Sequence, residues 1–453
     1  MTPPTLLDQA TLPLLADALA ELERGFATLP PIGDEPFPRD RLAQVLGEVA
    51  VRLRDNYPYF HPLYAGQMLK PPHPVARLAY ALALWINPNN HALDGGRASS
   101  AMEIEAVAEL ARMVGFPLHL GHLTGGGTMA NLEALWVAGQ LRPGAAVVAS
   151  NQAHYTHSRI SAVLGLPFQS VPADRGGRMD LEALEEILVR EEIGTVVATI
   201  GTTGLGAVDA LPELLALRDR YGFRLHADAA YGGYFGLAAT LAPAARAAYD
   251  RLGEVDSIVI DPHKHGLQPY GCGSVLFRDP TVGRFYRHDS PYTYFTSADL
   301  HLGEISLECS RPGAAAVALW ATQRLLPLVA GGEFARGLER GRAAALDLHR
   351  RLTGDARFIA PLVPELDILV WAVAAPTASE TSLRARRLFA RAAERGLHLA
   401  LIELPADMLD PDGTRFARDQ ATVTCLRSVL MKPEHAAWAD RIWGMIVEAA
   451  GEG

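Results

Sequence analysis

The stretch TVVATIGTTGLGAVDALPELLALRDRYGFRLHADAA, residues 195–230, decides the fold class. It begins with an apolar run at 195–201 and ends with another at 224–230, and each run has the length of a buried strand. Between them, residues 211–222 carry apolar side chains at helical spacing. A strand, a helix and a second strand in this order predict parallel strands whose connecting helix covers the sheet.

The same alternation extends from about residue 76 to 325. Further strands are predicted at 145–150, 257–261 and 273–278, and a further helix at 181–192. We therefore expect an α/β fold with a mostly parallel sheet and helices on both faces.

After about residue 330 the pattern changes. A helix rich in arginine and alanine, 333–352, leads into three apolar runs that predict an antiparallel sheet, at 365–373, 398–404 and 423–430. Three divisions are predicted. Residues 1–75 form an N-terminal helical and extended segment, residues 76–328 a large domain, and residues 329–453 a small C-terminal α+β domain.

Composition limits the classes of partner and location. The 453-residue chain has a formal net charge of −10 and no basic block, which argues against nucleic acid and anionic membranes as partners. Its three cysteines are far apart, which is typical of a reducing compartment. The N-terminus lacks the basic region of a signal peptide, and no apolar run reaches the roughly 18 residues of a membrane span. We expect a soluble cytoplasmic protein.

Lysine usage singles out one motif. Of 41 basic residues, three are lysine, and Lys264 lies in DPHKHG at 261–266. Arginine, whose pKa exceeds about 12, cannot act as a nucleophile in water, whereas a lysine amine can lose its proton. Lys264 is therefore a candidate nucleophile, and an exposed lysine in a turn is the alternative.

Four other motifs carry groups that complement this amine. Glycines 125–127 precede a helix that Thr128 opens, and the N–H groups of a helix start bind anions. His154 follows one predicted strand, and Thr203 lies near the end of another. Asp228 is a buried carboxylate that needs a partner, for which a protonated ring nitrogen is suited. Each feature alone also has an ordinary structural explanation.

The order of these parts is the one expected of an enzyme that uses pyridoxal 5′-phosphate. The anion site would hold the phosphate, the imidazole would pack on the ring, and the acid would keep the ring nitrogen protonated. The lysine would form the Schiff base that the substrate amine displaces.

The motifs also resemble a known family. TGGGTMANLEAL, NQAHYTHSRISAVLGL, ATIGTTGLGAVD, HADAAYGG and DPHKHG are similar to the motifs of group II pyridoxal-phosphate decarboxylases, and the resemblance covers residues 56–430. It implies the type I aminotransferase-like fold, with a mixed, mostly parallel seven-stranded sheet. It further implies a homodimer with residues 1–75 and the active site at the subunit interface, and conversion of an L-amino acid to its amine and CO2.

The resemblance assigns roles within the cofactor site. It implies that Lys264 forms the Schiff base, that Asp228 pairs with the ring nitrogen and that His154 stacks on the ring. The implied phosphate-binding residues are Gly126, Gly127, Thr128, His263 and Thr203. Asp261 stands where many members have Asn.

Substrate-binding residues follow from two further similarities. HPLYAGQ resembles the family stretch that places Gln67 near the substrate, and CLRSVLMKP resembles the stretch whose arginine, here Arg427, meets a substrate carboxylate. Gln67 and Arg97 would favour an acidic side chain. The aromatic segment 57–64 would equally line an aromatic pocket, so both substrate classes stay open.

The segment RHDSPYTYFTSADLHLGE, 287–304, offers Tyr292 and Tyr294 as proton donors to the α-carbon. In the family, a Phe at the donor position accompanies oxidative deamination to an aldehyde, and Phe295 is adjacent.

Other functions remain as alternatives. An aldehyde synthase, a carbon–carbon lyase or an aminotransferase would use the same cofactor scaffold. A metal-dependent hydrolase would use His226, Asp228, His263 and His265, although no HExxH helix accompanies them. A binding homologue without catalysis is a third alternative, which the retained lysine and aspartate disfavour.

Overall fold

The computed structural model describes residues 7–31, 38–287 and 301–451. The helices are α1 (Leu12–Arg24), α2 (Arg39–Leu53), α3 (Pro74–Leu84), α4 (Leu93–Val114), α5 (Gly127–Leu141), α6 (Thr156–Leu164), α7 (Leu181–Arg190), α8 (Leu211–Tyr221), α9 (Pro243–Asp250), α10 (Gly313–Leu325), α11 (Glu333–Thr353), α12 (Ala378–Glu394), α13 (Ala406–Leu409) and α14 (His435–Gly451). The strands are β1 (Leu120–Thr124), β2 (Ala146–Ser150), β3 (Phe168–Val171), β4 (Ile193–Thr199), β5 (Arg224–Asp228), β6 (Ser257–Ile260), β7 (Gly273–Phe277), β8 (Phe358–Ile359), β9 (Ile368–Val373), β10 (Ala400–Pro405) and β11 (Thr422–Val429).

The large sheet has seven strands in the order β1-β7-β6-β5-β4-β2-β3. Strand β7 is antiparallel to both of its neighbours, β1 and β6, and the other pairs are parallel. Every residue of β4 is buried, because helices cover both faces of the sheet. The predicted mixed, mostly parallel seven-stranded sheet is confirmed.

Two strands of this sheet are not evident in the sequence. Strands β1 and β3 form its two edges, and both are short and contain polar residues. An edge strand has a neighbour on one side only, and its sequence therefore lacks the continuous apolar run of a central strand.

The second sheet has four antiparallel strands in the order β10-β11-β9-β8. It contains the three apolar runs that predicted it, together with the two-residue strand β8. Helices α11 and α12 pack on it, and α14 packs on both helices. The smaller C-terminal α+β unit is confirmed, and the divisions at residues 75 and 328 stay predictions.

The sheet directions place several loops at one edge. Strand β1 runs in the same direction as β6, because both are antiparallel to β7. The carboxyl ends of β1, β2, β4, β5 and β6 therefore meet at one side of the large sheet, which is where α/β folds bind ligands. In the described ranges, no helix has both the length and the apolar character needed to cross a bilayer.

Candidate active site

A cavity of about 610 Å³ opens at this edge of the large sheet. This volume is in the range of small-molecule and cofactor sites. All the residues that the sequence assigns to cofactor binding line it, namely Gly126, Gly127, Thr128, His154, Thr203, Asp228, His263 and Lys264. The fold thus brings five separate sequence motifs to one site.

Lys264 lies in the turn that follows β6. Its backbone N–H donates to the Asp261 carbonyl, and its Nζ lies 3.0 Å from Asp261 Oδ2. The Asp261 carboxylate is buried, and its Oδ1 has no hydrogen-bond partner within the described ranges. The amine is therefore held by one ion pair at the wall of the cavity, where its side chain is 21% exposed.

The glycine run shapes the start of α5. Gly126 has φ 153°, a backbone conformation that residues with a side chain rarely adopt. A Cβ on Gly127 would lie 2.6 Å from Asp261 Oδ2. Gly126 is the N-cap residue of α5 and has no side chain that could accept hydrogen bonds from the first N–H groups of the helix. These N–H groups lie at the cavity wall and form an anion site. The preceding N–H, that of Gly125, donates to Glu308 Oε2 at 3.0 Å.

Asp228 ends β5 and is hydrogen-bonded on both oxygens. Its Oδ2 accepts from His157 Nε2 at 2.8 Å and from Asn131 Nδ2 at 3.4 Å, and its Oδ1 accepts from the Ala230 N–H at 3.2 Å. Burial alone would raise the pKa of Asp228, but the His157 hydrogen bond and the positive charges of His157 and Lys264 hold this pKa below its usual value. The acid is therefore ionised at neutral pH.

A second layer of side chains orients Asn131. His226 Nδ1 lies 2.8 Å from Ser257 Oγ, and its Nε2 lies 2.8 Å from Asn131 Oδ1. Burial, followed by the charge of His157, lowers the pKa of His226 to about 3, so this imidazole is neutral. Because the Asn131 oxygen accepts from His226, its amide nitrogen is turned to Asp228.

The histidines of the metal-hydrolase alternative face different partners. His226 belongs to the Asn131 network, whereas His265 Nε2 lies 3.3 Å from Asp367 Oδ2. His263 Nδ1 lies 2.8 Å from the Cys272 carbonyl oxygen and donates to it. Where the structure describes the chain, no three His, Cys, Asp or Glu side chains are grouped as metal ligands would be.

His154 and His263 present imidazole rings to the cavity. Burial lowers the pKa of both rings, which favours their neutral form. His154 Nδ1 lies 2.9 Å from Thr156 Oγ1, which fixes the ring at the start of α6. The His263 ring lies 4.8 Å from the ring of Tyr270, another residue of the cavity wall.

The predicted substrate residues are only partly brought together. Arg427 Nη2 donates to Gln67 Oε1 at 3.2 Å, and Arg427 is buried on β11 of the small sheet. Neither residue belongs to the described cavity wall. Arg97 is exposed on α4 and is absent from the described cavity wall. Tyr292 and Tyr294 lie outside the described residues.

Sequence reasoning missed Asn131, His157 and Glu308, whose side chains hydrogen-bond to Asp228 or Gly125. A local signal existed for His157 alone, since it follows His154 by one helical turn in the same motif. Asn131 and Glu308 reach the site through contacts 97 and 183 positions apart in the chain.

The donor set fits pyridoxal 5′-phosphate. The cavity offers an amine for the aldehyde, a buried ionised acid for the ring nitrogen and an uncapped helix start for the phosphate. Each of these groups complements one part of the cofactor.

Comparison with known proteins agrees with this geometry. Residues 135–360 match the model of the pyridoxal-dependent decarboxylase conserved domain. The chain is 28% identical to the L-tyrosine decarboxylase of Enterococcus faecium over 442 residues, which covers 74% of this chain and 72% of that protein. It is 32% identical to the probable L-aspartate decarboxylase of Thermococcus gammatolerans over 289 residues, or 61% of this chain and 72% of that protein.

Solved structures show the same fold. The structure of mouse CSAD in apo form has a TM-score of 0.79 at 22% identity, covering 95% of this chain and 92% of that chain. The structure of Oryza sativa TDC with PLP and tryptamine also has a TM-score of 0.79, at 18% identity, covering 100% of this chain and 99% of that one. The type I fold is therefore confirmed. Together with this fold, the sequence matches show that the chain belongs to the group II pyridoxal-phosphate-dependent decarboxylase family and is a carboxy-lyase that uses this cofactor.

Proposed function

We propose that the enzyme converts an acidic or aromatic L-amino acid to its amine and CO2, with Lys264 and Asp228 as the central catalytic residues. The observation that carries this proposal is that both side chains line one cavity with the open start of α5. An amine, an acid and an anion site at one place match the three polar parts of the cofactor.

Bound pyridoxal 5′-phosphate supplies the electron sink that stabilises the charge left on the α-carbon when CO2 departs. Lys264 is the amine that holds the cofactor aldehyde, and its ion pair with Asp261 fixes its position. Asp228, ionised and hydrogen-bonded, keeps a proton on the ring nitrogen. His154, neutral and half-buried in the cavity wall, would cover the ring face and exclude water.

The phosphate binds at the N-terminus of α5. The first N–H groups of this helix and the Thr128 hydroxyl are its donors, and His263 and Thr203 complete the wall. The helix dipole adds to the attraction for a dianion.

Arg427 and Gln67 receive the substrate carboxylate. Arg427 is a buried cation whose Nε has no hydrogen-bond partner in the part of the chain that the structure describes, so it retains a donor for an anion. Rings from Tyr57, Tyr59 and Tyr64 cluster on the same segment as Gln67. The charge supports an acidic substrate and the rings support an aromatic one.

A substrate panel tests this proposal. The purified enzyme with added cofactor is incubated with L-aspartate, L-glutamate, L-tyrosine, L-tryptophan and L-2,4-diaminobutyrate, and CO2 and amine are measured. Equal amounts of CO2 and amine from an acidic or aromatic substrate support decarboxylation. Aldehyde with ammonia and peroxide would instead indicate the synthase reaction, and absence of CO2 from every member would refute the proposal.

The same proposal includes a homodimer in the cytoplasm. Helix α2 has no buried residue, and it exposes an apolar row consisting of Leu42, Val45, Leu46, Val49 and Leu53. A row of this kind is typical of a surface that another chain covers. Analytical ultracentrifugation should give twice the chain mass of 48.8 kDa, and a monomer across the micromolar range would contradict the dimer.

A further inference from the structure

The shortest hydrogen bond to Asp228 comes from a residue with no role in the proposed function. His157 lies in the first turn of α6, its side chain is 1% exposed, and its Nε2 lies 2.8 Å from Asp228 Oδ2. The other donors to this carboxylate, Asn131 and Ala230, lie at 3.4 and 3.2 Å. His157 is thus buried behind the acid.

The hydrogen-bonding pattern fixes the protonation of His157. An ionised carboxylate can only accept, so the proton of the imidazole is on Nε2. Nδ1 is buried and has no hydrogen-bond partner among the described residues. No other hydrogen bond of this ring is described, so the Nε2 proton is directed at Asp228 without competition.

This proton acts on the charge of Asp228. Burial raises the pKa of the Asp228 carboxyl, and the largest opposing influence is the hydrogen bond from His157. Without that bond the acid would be closer to its neutral form. A neutral acid carries its own proton and cannot hold one on a ring nitrogen.

The bond also fixes the orientation of the carboxylate. Oδ2 is occupied by His157 and Asn131, whereas Oδ1 accepts only the Ala230 N–H among the contacts that the structure describes. One oxygen is therefore anchored in the protein interior, and the carboxylate plane cannot rotate freely.

We propose that His157 is a positioning residue, which keeps Asp228 ionised and oriented toward the cofactor ring nitrogen. This inference rests on the role of Asp228 in the proposed function. His157 does not itself line the cavity wall that the structure describes, so it acts through Asp228.

A matched pair of variants tests the inference. Gln and Met have nearly the same length and shape, and a Gln amide nitrogen can replace imidazole Nε2 as a donor whereas a Met sulfur cannot. We expect His157→Met to have a kcat about tenfold to a hundredfold below that of His157→Gln, with KM within about twofold. The dissociation constant of the apoenzyme for pyridoxal 5′-phosphate should rise about tenfold in His157→Met only.

Two further variants separate the possible failures. His349→Met removes a half-buried imidazole hydrogen bond, 3.0 Å to the Ala360 carbonyl, on α11 and outside the described cavity wall, and should leave kcat and cofactor affinity unchanged. Asp228→Asn removes the negative charge itself, so its loss of kcat is the largest that a change at His157 can cause through this acid. If Asp228→Asn is fully active, the role of Asp228 fails. If it is inactive while His157→Met and His157→Gln behave alike, the role of His157 alone is overturned.

Nuclear magnetic resonance of the unaltered holoenzyme gives a test that does not depend on a variant folding. Labelled with ¹⁵N-histidine, His157 should show a proton on Nε2, assigned by the loss of its signal in His157→Gln. A ring protonated on Nδ1 alone could not donate to Asp228 and would overturn the inference.

Discussion

Replacement of Gly127 by Ala tests the geometry around Lys264. The added Cβ would lie 2.6 Å from Asp261 Oδ2, about 0.8 Å short of the 3.4 Å at which ordinary contact begins. The same carboxylate is the ion-pair partner of Lys264 Nζ at 3.0 Å, so a clash that displaces the carboxylate also moves the amine. A misplacement of about 1 Å at a reacting group costs about a hundredfold in rate, and we expect Gly127→Ala to lower kcat by about tenfold to a hundredfold.

The assay measures initial rates of CO2 release and the visible absorbance of the bound cofactor. Gly337→Ala is the matched control. Gly337 lies within α11, and a Cβ added there would meet Pro433 at an ordinary contact distance of 3.5 Å. This control should retain full activity and gain about 0.5–1 kcal/mol in unfolding free energy. Asp261→Ala removes the carboxylate that the new Cβ would meet. The kcat of the double variant Gly127→Ala, Asp261→Ala should therefore be close to that of Asp261→Ala alone. A Gly127→Ala enzyme with normal kcat and absorbance would refute the reasoning.

Four other predictions concern individual side chains. Lys264→Ala should abolish both turnover and the visible cofactor band; a normal band would mean that another amine binds the aldehyde. Arg427→Met should raise KM about tenfold to a hundredfold with a smaller change in kcat, whereas an unchanged KM would place the carboxylate elsewhere. Burial raises the pKa of the Asp209 carboxyl to about 6, so its ionisation opposes folding. The unfolding free energy of the wild type should therefore fall by about 3 kcal/mol between pH 4 and 7 relative to that of Asp209→Asn. Parallel pH profiles of the two proteins in unfolding titrations would contradict this. Of Tyr292→Phe and Tyr294→Phe, one should shift the product from amine to aldehyde in chromatographic analysis, and if neither does, the proton donor is a different residue.

The sequence predicted most of the large sheet because its central strands are buried on both faces. Strand β4 is buried at every residue, and its sequence, IGTVVAT, has no charged side chain. The edge strands β1 and β3 were missed, since a strand with one neighbour can be short and partly polar. The small sheet was anticipated from its three apolar runs, but not the two-residue strand β8.

For the site, the sequence alone determined the types of groups and their order along the chain. An amine, an acid, an imidazole and a glycine-opened helix appear as local motifs, because each is recognisable from its immediate neighbours. Their convergence on one cavity follows from the fold class, since the carboxyl ends of parallel strands share an edge.

Only the tertiary structure decided which side chains support these groups. His157 and Asp228 are 71 positions apart, Asn131 and Asp228 are 97 apart, and Gly125 and Glu308 are 183 apart. A hydrogen bond depends on distance and angle to within a few tenths of an ångström, and these are set by how α5 and α6 pack on the sheet. No local pattern carries that information, because the same residues in a different packing would face other partners.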